Sequence, residues 1–550
     1  MRAWTLILWS IAAVVAAPVA VVLAYLVIPA GDVWAHLAAT VLPGYIANSL
    51  VLMFGVGAGT LVLGVGCAWF VTMTQFPGRR FFEWALIMPL AVPAYVVAFT
   101  YTGLLEYSGP VQSLLRDLFG WQSRAEYWFP QIRSLPGAVT MMTLVFYPYV
   151  YMLTRAAFLE QSVSVLEAAR TLGRSAGSTF YSVALPLARP SIAAGLALAL
   201  METLNDFGTV QFFAVDTFVT GIYRTWMGLG EPGVAAQLGS VLMLFILALI
   251  LLERFSRKGK MTHAVGAYRS IPRYPLSRPA AAGVFMLCAV PVFFGFILPV
   301  TAMIVWTVQT LDFVDTRFFS MAATSLYLSG ITALVAVAAA LLLAYGHRLR
   351  PGGLNAAAVR LASMGYAVPG AVIALGIMIP FAALDNVVDD FARRYFDYSI
   401  GLLLTGTWTA LIFAYVVRFL AVSFNTVESS MAKVTASMDG ASRTLGMSPS
   451  KTLLRVYTPI MRPSILTAAV LVFVDVMKEL PATFMMRPFG LQTLAIRSYE
   501  LASDGLLRES SASSLAIVAA GIIPVIILSS MIAGARPGSR KEKKTAGNGM

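Results

Sequence analysis

Apolar stretches about 20 residues long recur along the whole chain, separated by short polar segments, and this pattern predicts membrane-spanning helices throughout. Twelve spans are expected. Six lie near 5–28, 46–73, 82–105, 136–157, 190–213 and 234–253, and six near 280–308, 322–346, 359–384, 400–423, 463–486 and 513–534. Met1-Arg2 and the small residues Ala16-Ala17 have the look of a cleaved signal, but the apolar run continues to Ile28, too long for one, and reads as the first span. The basic, proline-containing stretch from Glu253 to Arg278 divides the pattern. The expected organisation is a first half at 1–253, a cytoplasmic linker at 254–278, a second half at 279–535 and a basic tail at 536–550.

The two halves repeat one another. Arg170-Thr171-Leu172-Gly173 returns as Arg443-Thr444-Leu445-Gly446, and Arg189-Pro190-Ser191-Ile192 as Arg462-Pro463-Ser464-Ile465, both 273 residues on. Upstream the offset is 276, with Ala91-Val92-Pro93 matching Ala367-Val368-Pro369. Agreement at a fixed offset over several landmarks marks an internal duplication. A repeat of six spans enters the membrane from the same side each time, so the expected fold is an all-α polytopic membrane protein of two parallel six-helix repeats, related by an axis along the membrane normal.

Composition agrees: 59% of residues are hydrophobic and 12% charged, about half the charged share of soluble domains. The net charge of +13 resides in short loops and the tail. That is the cytoplasmic bias of basic loops rather than a nucleic-acid surface, and it places both termini inside. Arg79-Arg80, the linker, Arg348, Arg350 and the tail fall on the cytoplasmic side; Asp312, Asp315, Asp385, Asp389 and Asp390 fall outside. Contact of the tail with membrane lipid is possible by charge, a solvated tail being the plainer reading. Cys67 and Cys288 each sit inside an apolar run, which argues against a disulfide framework or thiolate metal site.

Each half carries a polar segment after its fourth span, near 160–189 and 431–462. Helix formers precede Gly173, a second helical stretch leads to Pro186, and Pro190 follows near the start of the next span. The result is a helix–turn–helix facing the cytosol, in which the small Ala168, Ala169 and Gly173 allow a partner to approach; an amphipathic connector lying on the membrane fits the spacing too. The following span holds Glu202 and Asp206, and its counterpart holds Asp475 and Glu479, again 273 residues on. Each pair is spaced i, i+4 and shares a helix face. Carboxylates at membrane depth turn toward protein or water, so these four are candidates for a translocation pathway, with structural ion pairing as the alternative. Oxygen ligands suit hard cations. His36, His263 and His347 lie outside the spans and far apart, and are not assigned to a metal site.

Glu167-Ala168-Ala169, Gly173 six residues after the glutamate, and Leu185-Pro186 resemble the EAA loop of ABC importer permeases. The second copy departs from it, with Gly440, Ala441 and Ser442 at the Glu-Ala-Ala positions and Asp439 one residue earlier. The stretches Asn205 to Phe213, Lys478 to Ala495, Met88 to Arg116 and Tyr366 to Gly376 are similar to ferric iron permeases of the fused, two-half type. The resemblance implies the type I ABC importer permease fold, in a bacterial inner membrane. It implies docking of two cytoplasmic ATP-binding subunits at Glu167, Ala168, Ala169, Gly173, Gly440, Ala441, Ser442 and Gly446, and delivery of Fe³⁺ by a periplasmic binding protein. The outward loop from Glu106 to Arg133, with Tyr107, Trp121, Tyr127 and Trp128, is a candidate for docking that protein, and an interfacial aromatic belt accounts for it equally well. Permeases for thiamine, phosphonate or polyamine share the fold. A phosphate-binding Gly-x-x-x-x-Gly-Lys-Ser/Thr loop does not occur, so ATP would be used by the partner, with no catalysis and no cofactor here. A proton-coupled secondary transporter using the four carboxylates is the competing class.

Overall fold

The computed structural model describes residues 2–28, 31–160, 171, 173, 175–257, 273–431 and 433–534. The tail at 536–550, linker residues 258–272 and connector residues 161–170 lie outside these, and with them Glu167, Ala168 and Ala169. Among the described residues the regular structure is helical, apart from a two-residue parallel pairing of Thr74 with Tyr274 and Gln75 with Pro275.

Among the described residues, ten helices are long and apolar enough to cross a membrane. An eleventh crossing is a bent pair, Arg79–Ala91 with Ala94–Phe119, turning by 89°, and the twelfth expected region holds a shorter apolar helix, Ser511–Ile527. Several expected borders move. The region 82–105 breaks at Val92-Pro93, and 359–384 breaks at Val368-Pro369. Both follow a tight 3₁₀ turn, Met88–Ala91 and Gly365–Ala367, and both resume as helix at Ala94 and Gly370. Hydropathy is blind to these breaks because both sides are apolar. The physical cause is that a residue before proline is pushed out of the helical region, as Val92 (ψ 120°) and Val368 (ψ 126°) are. Residues 400–407 are likewise not helical, and the span begins at Trp408. The loop is gathered by two aspartates of the preceding helix. Asp389 accepts from the backbone N–H groups of Ile400 (2.8 Å) and Gly401 (3.0 Å), and Asp385 from those of Leu403 (3.2 Å), Leu404 (3.0 Å) and Thr405 (2.8 Å).

Contacts divide the chain into two compact units, each drawn from both halves of the sequence. One comprises Met1–Tyr45, Thr217–Leu244 and Asp312–Glu500. Here helices Thr316–Leu349, Trp408–Met431 and Thr458–Met477 pack on one another. The N-terminal helix Arg2–Ala24 packs against Thr316–Leu349, Gly353–Ala362 and Gly370–Phe396. Gly376 permits that approach: a Cβ there would lie 2.1 Å from the carbonyl oxygen of Pro18, the close backbone contact small residues provide between membrane helices.

The other unit comprises Ile46–Asp216, Phe245–Leu311 and Leu501–Met550. Helix Leu135–Glu160 packs against Leu185–Asn205, and Leu298–Gln309 against Ser511–Gly534. Its core gathers Trp69, Tyr147, Tyr151 and Phe158 with the buried free thiols Cys67 and Cys288. Buried Arg155 pairs with Glu83 (3.3 Å), which Arg79 also contacts, and the Tyr151 hydroxyl donates to the Glu83 carbonyl (3.2 Å). In the loop from Glu106 to Arg133, Trp121 is stacked between Phe119 (4.8 Å) and Tyr127 (4.6 Å), whereas Trp128 is exposed.

Candidate functional site

The duplicated connectors share a backbone plan. Helix Ala436–Thr444 stops at Gly446, whose φ of +71° lies in the left-handed region; Gly173 has φ of +75°. In the second copy the N–H of Met447 donates to the Ser442 carbonyl (3.1 Å) and that of Gly446 to the Arg443 carbonyl (3.0 Å), the bond pair of a helix ended by glycine. A serine then caps the next helix in both copies: Ser175 accepts from the Ser178 N–H (3.2 Å) and Ser448 from the Lys451 N–H (3.4 Å). A π turn follows at matched positions, Phe180–Ala184 and Leu453–Tyr457, just before Leu185-Pro186 and Thr458-Pro459. Proline lacks an N–H and crowds the carbonyl four residues back, and the widened turn absorbs that defect. From there each helix runs on into the membrane. The two rods, Gly177–Asn205 and Pro449–Met477, are both 29 residues long, about 44 Å at about 1.5 Å per residue.

On the second connector, Met438, Gly440, Ala441 and Leu445 are exposed, Leu445 by 74%. Met438, Ala441 and Leu445 stand at i, i+3 and i+7, an apolar stripe on one face. Ser442 is turned the other way. It is buried, donates to the Asp439 carbonyl (3.0 Å) and receives a hydrogen bond from Thr452 (3.2 Å). Among the described residues, a Cβ at Gly173, Gly440 or Gly446 would meet nothing within 4 Å. The glycines at 173 and 446 therefore answer to conformation, not to crowding within the chain.

The far end of each rod carries the carboxylates. Asp206 follows the last turn of Leu185–Asn205, and its Oδ1 accepts from the N–H groups of Thr209 (2.9 Å) and Val210 (3.2 Å) while Oδ2 accepts from the Thr209 hydroxyl (3.0 Å). Glu479 repeats this on helix Pro481–Met486. It takes the N–H groups of Ala482 (2.9 Å) and Thr483 (2.9 Å) and the Thr483 hydroxyl (2.6 Å). Both acids cap the short helix after a break in the membrane rod. There the halves diverge. Glu479, with 1% of its side chain exposed, pairs with Arg418 at 2.8 Å, and Asp475 pairs with Lys478 at 3.0 Å. Glu202 and Asp206 are half-buried, and no basic side chain is bridged to either among the described residues. Also among the described residues, no three His, Cys, Asp or Glu side chains converge as a metal site.

Arg418 and Arg155 were not anticipated as site residues. Both stand in apolar runs, and an arginine at membrane depth always calls for a partner; that signal was present. Their partners, Glu479 and Glu83, lie 61 and 72 residues away and only tertiary structure brings them together.

The family model described as "Binding-protein-dependent transport system inner membrane component" matches twice, over residues 60–260 and 336–537, one match in each repeat. The chain is 27% identical over 495 residues to the Fe(3+)-transport system permease protein FbpB 2 of Haemophilus influenzae, covering 88% of this chain and 89% of that one. It is 26% identical over 462 residues to the ferric transport system permease protein FbpB of Actinobacillus pleuropneumoniae, covering 80% of this chain and 64% of the relative. The molybdenum transport system permease protein ModB of Escherichia coli is 30% identical over 175 residues, 32% of this chain and 69% of that protein.

Proposed function

Because the chain belongs to the family of inner membrane components of binding-protein-dependent transport systems, we propose that it is a two-half permease of an ATP-driven importer that brings ferric iron into the cytoplasm. The cargo follows from the relatives that align over most of the chain, which are named for ferric transport. The ATPase is a separate cytosolic subunit, one copy for each connector, and a periplasmic protein presents the iron. Both termini lie on the cytoplasmic side.

One observation carries this reading: each connector is the start of a 29-residue rod that ends beside a pair of carboxylates. A helix is stiff along its axis, so a push on the connector reaches Glu202 or Asp475 without needing an intermediate element. The second connector offers Met438, Ala441 and Leu445 to its motor, and Glu167, Ala168 and Ala169 are the corresponding contacts of the first. Gly173 and Gly446 set the angle between docking helix and rod. Ser442 works from the inner side, holding the docking helix to Thr452.

At the other end, Asp206 and Glu479 fix the breaks where the rods stop, and each rod's own acid pair, Glu202 with Asp206 and Asp475 with Glu479, lines the iron pathway in its half. Most of the free negative charge belongs to the first half, since Arg418 and Lys478 offset the acids of the second. Hard oxygen ligands are the donors Fe³⁺ prefers, and few of them allow passage rather than capture. Purified chain reconstituted with candidate ATPases and binding proteins tests this. ATP-dependent uptake of labelled Fe³⁺ is expected, with none of thiamine, spermidine or 2-aminoethylphosphonate. Uptake of one of those in place of iron would reassign the cargo.

A further inference from the structure

The acid on the second connector is displaced by one residue from the resembling pattern, standing at Asp439 with Gly440 after it. One residue is about 100° around a helix, enough to turn a carboxylate from the docking face to the protein side. That is where Asp439 points. Its Oδ2 accepts from Arg348 Nε (3.3 Å) and Nη2 (3.2 Å), and its Oδ1 from the Tyr457 hydroxyl (2.6 Å). Arg348 sits in the last turn of Thr316–Leu349 and also donates to the Met431 carbonyl (2.7 Å) at the end of Trp408–Met431 and to that of Val434. Its guanidinium lies 5.2 Å from the centre of the Tyr457 ring, and Tyr457 belongs to the π turn of the rod. Tyr345, in turn, stacks edge-on between Tyr457 (5.0 Å) and Trp4 (5.1 Å).

We propose that Arg348, Asp439 and Tyr457 form an ionic clamp that locks the second docking helix to the membrane bundle, making this connector a rigid lever. The proposal rests on the reading of this segment as the ATPase docking site. Isolated exposed ion pairs contribute little, but a two-pronged arginine in a network that also covers helix-end carbonyls is a different case. Three elements meet on one guanidinium, so a displacement of the docking helix must carry the ends of Thr316–Leu349 and Trp408–Met431 with it.

The matched positions in the first repeat are Thr72, Leu166 and Ala184. They supply neither charge nor phenol, and the same clamp cannot be assembled there. The second stroke of the motor is thus delivered through fixed side-chain bonds.

The test uses the full chain assembled with its ATPase and binding protein, comparing iron imported per ATP hydrolysed. Asp439→Asn keeps shape and removes charge; loss of a hydrogen-bonded charge predicts a fall of about tenfold in that ratio, with ATP hydrolysis retained. Asp439→Glu should restore most of it, and Tyr457→Phe should lower it about threefold. If Asp439→Asn does not insert at the normal level, Tyr457→Phe and Arg348→Lys carry the comparison. Crosslinking from Ala441→Cys to the ATPase separates the possible failures. A crosslink together with an unchanged ratio in these variants overturns the clamp. Absence of any crosslink in the otherwise unaltered assembly overturns the docking reading itself.

Discussion

Arg418 and Glu479 illustrate what one residue pair does here. Both are almost wholly buried, at 8% and 1% side-chain exposure, and 2.8 Å apart. Removing one member of such a pair leaves an uncompensated charge and costs about 3–5 kcal/mol, whereas replacing both is far milder. Arg418→Met is therefore expected to lower the detergent-solubilised melting temperature sharply, and Arg418→Met with Glu479→Gln to recover much of it. Equal melting temperatures for the single and double variants would show that the pair is not coupled. Glu202 makes the opposite case. It has no basic partner among the described residues, so Glu202→Gln should leave the melting temperature nearly unchanged. If it lines the pathway, it should still reduce iron uptake at constant ATPase activity. Loss of stability without a specific loss of uptake would make it a structural acid.

The element that matters most is the connector with its rod, and much of it was legible beforehand. The 273-residue offset predicted a repeated backbone plan, and the left-handed glycines, capping serines, π turns and prolines fall at matched positions. Two things were not legible. Hydropathy ran 190–213 and 463–486 as single spans, although the rods stop at Asn205 and Met477. An acid that caps a new helix within an apolar run looks like any other acid until its N–H partners are seen. Nor does a linear pattern show which face of a helix a side chain takes, which is why Ser442 read as part of the docking surface and is buried. The glycines give a sharp prediction. No Cβ clash arises at Gly446 within the chain, and its φ is +71°, so the cost of substitution is conformational, about 1–2 kcal/mol for an ordinary residue. Gly446→Asn, which tolerates that region, should keep most iron uptake, while Gly446→Val should lose it with the chain still inserted. Equal loss in both would mean that space against a partner is the constraint.

At the scale of the whole molecule, the fold class and the duplication followed from hydropathy and offset alone, because the bilayer imposes a length on every span. The grouping of segments did not. Each compact unit takes the core of one repeat and a first span from the other: Arg2–Ala24 packs with helices of the second repeat, and Leu298–Gln309 with Ala94–Leu105 of the first. Such long-range pairing leaves no trace in local periodicity. It does predict that residues of the N-terminal helix are needed for the second repeat to fold. Pro18 lies against Gly376, so Gly376→Leu should lower the yield of inserted protein several-fold by overpacking; normal yield would mean that the contact yields without cost.

The account as a whole depends on a motor housed outside this chain. Uptake of labelled Fe³⁺ into proteoliposomes, with and without the ATPase subunit and in the presence of a protonophore, addresses that directly. Transport that requires the ATPase and ATP and is indifferent to the protonophore is the predicted result; transport that persists without the ATPase and collapses with the protonophore would contradict it.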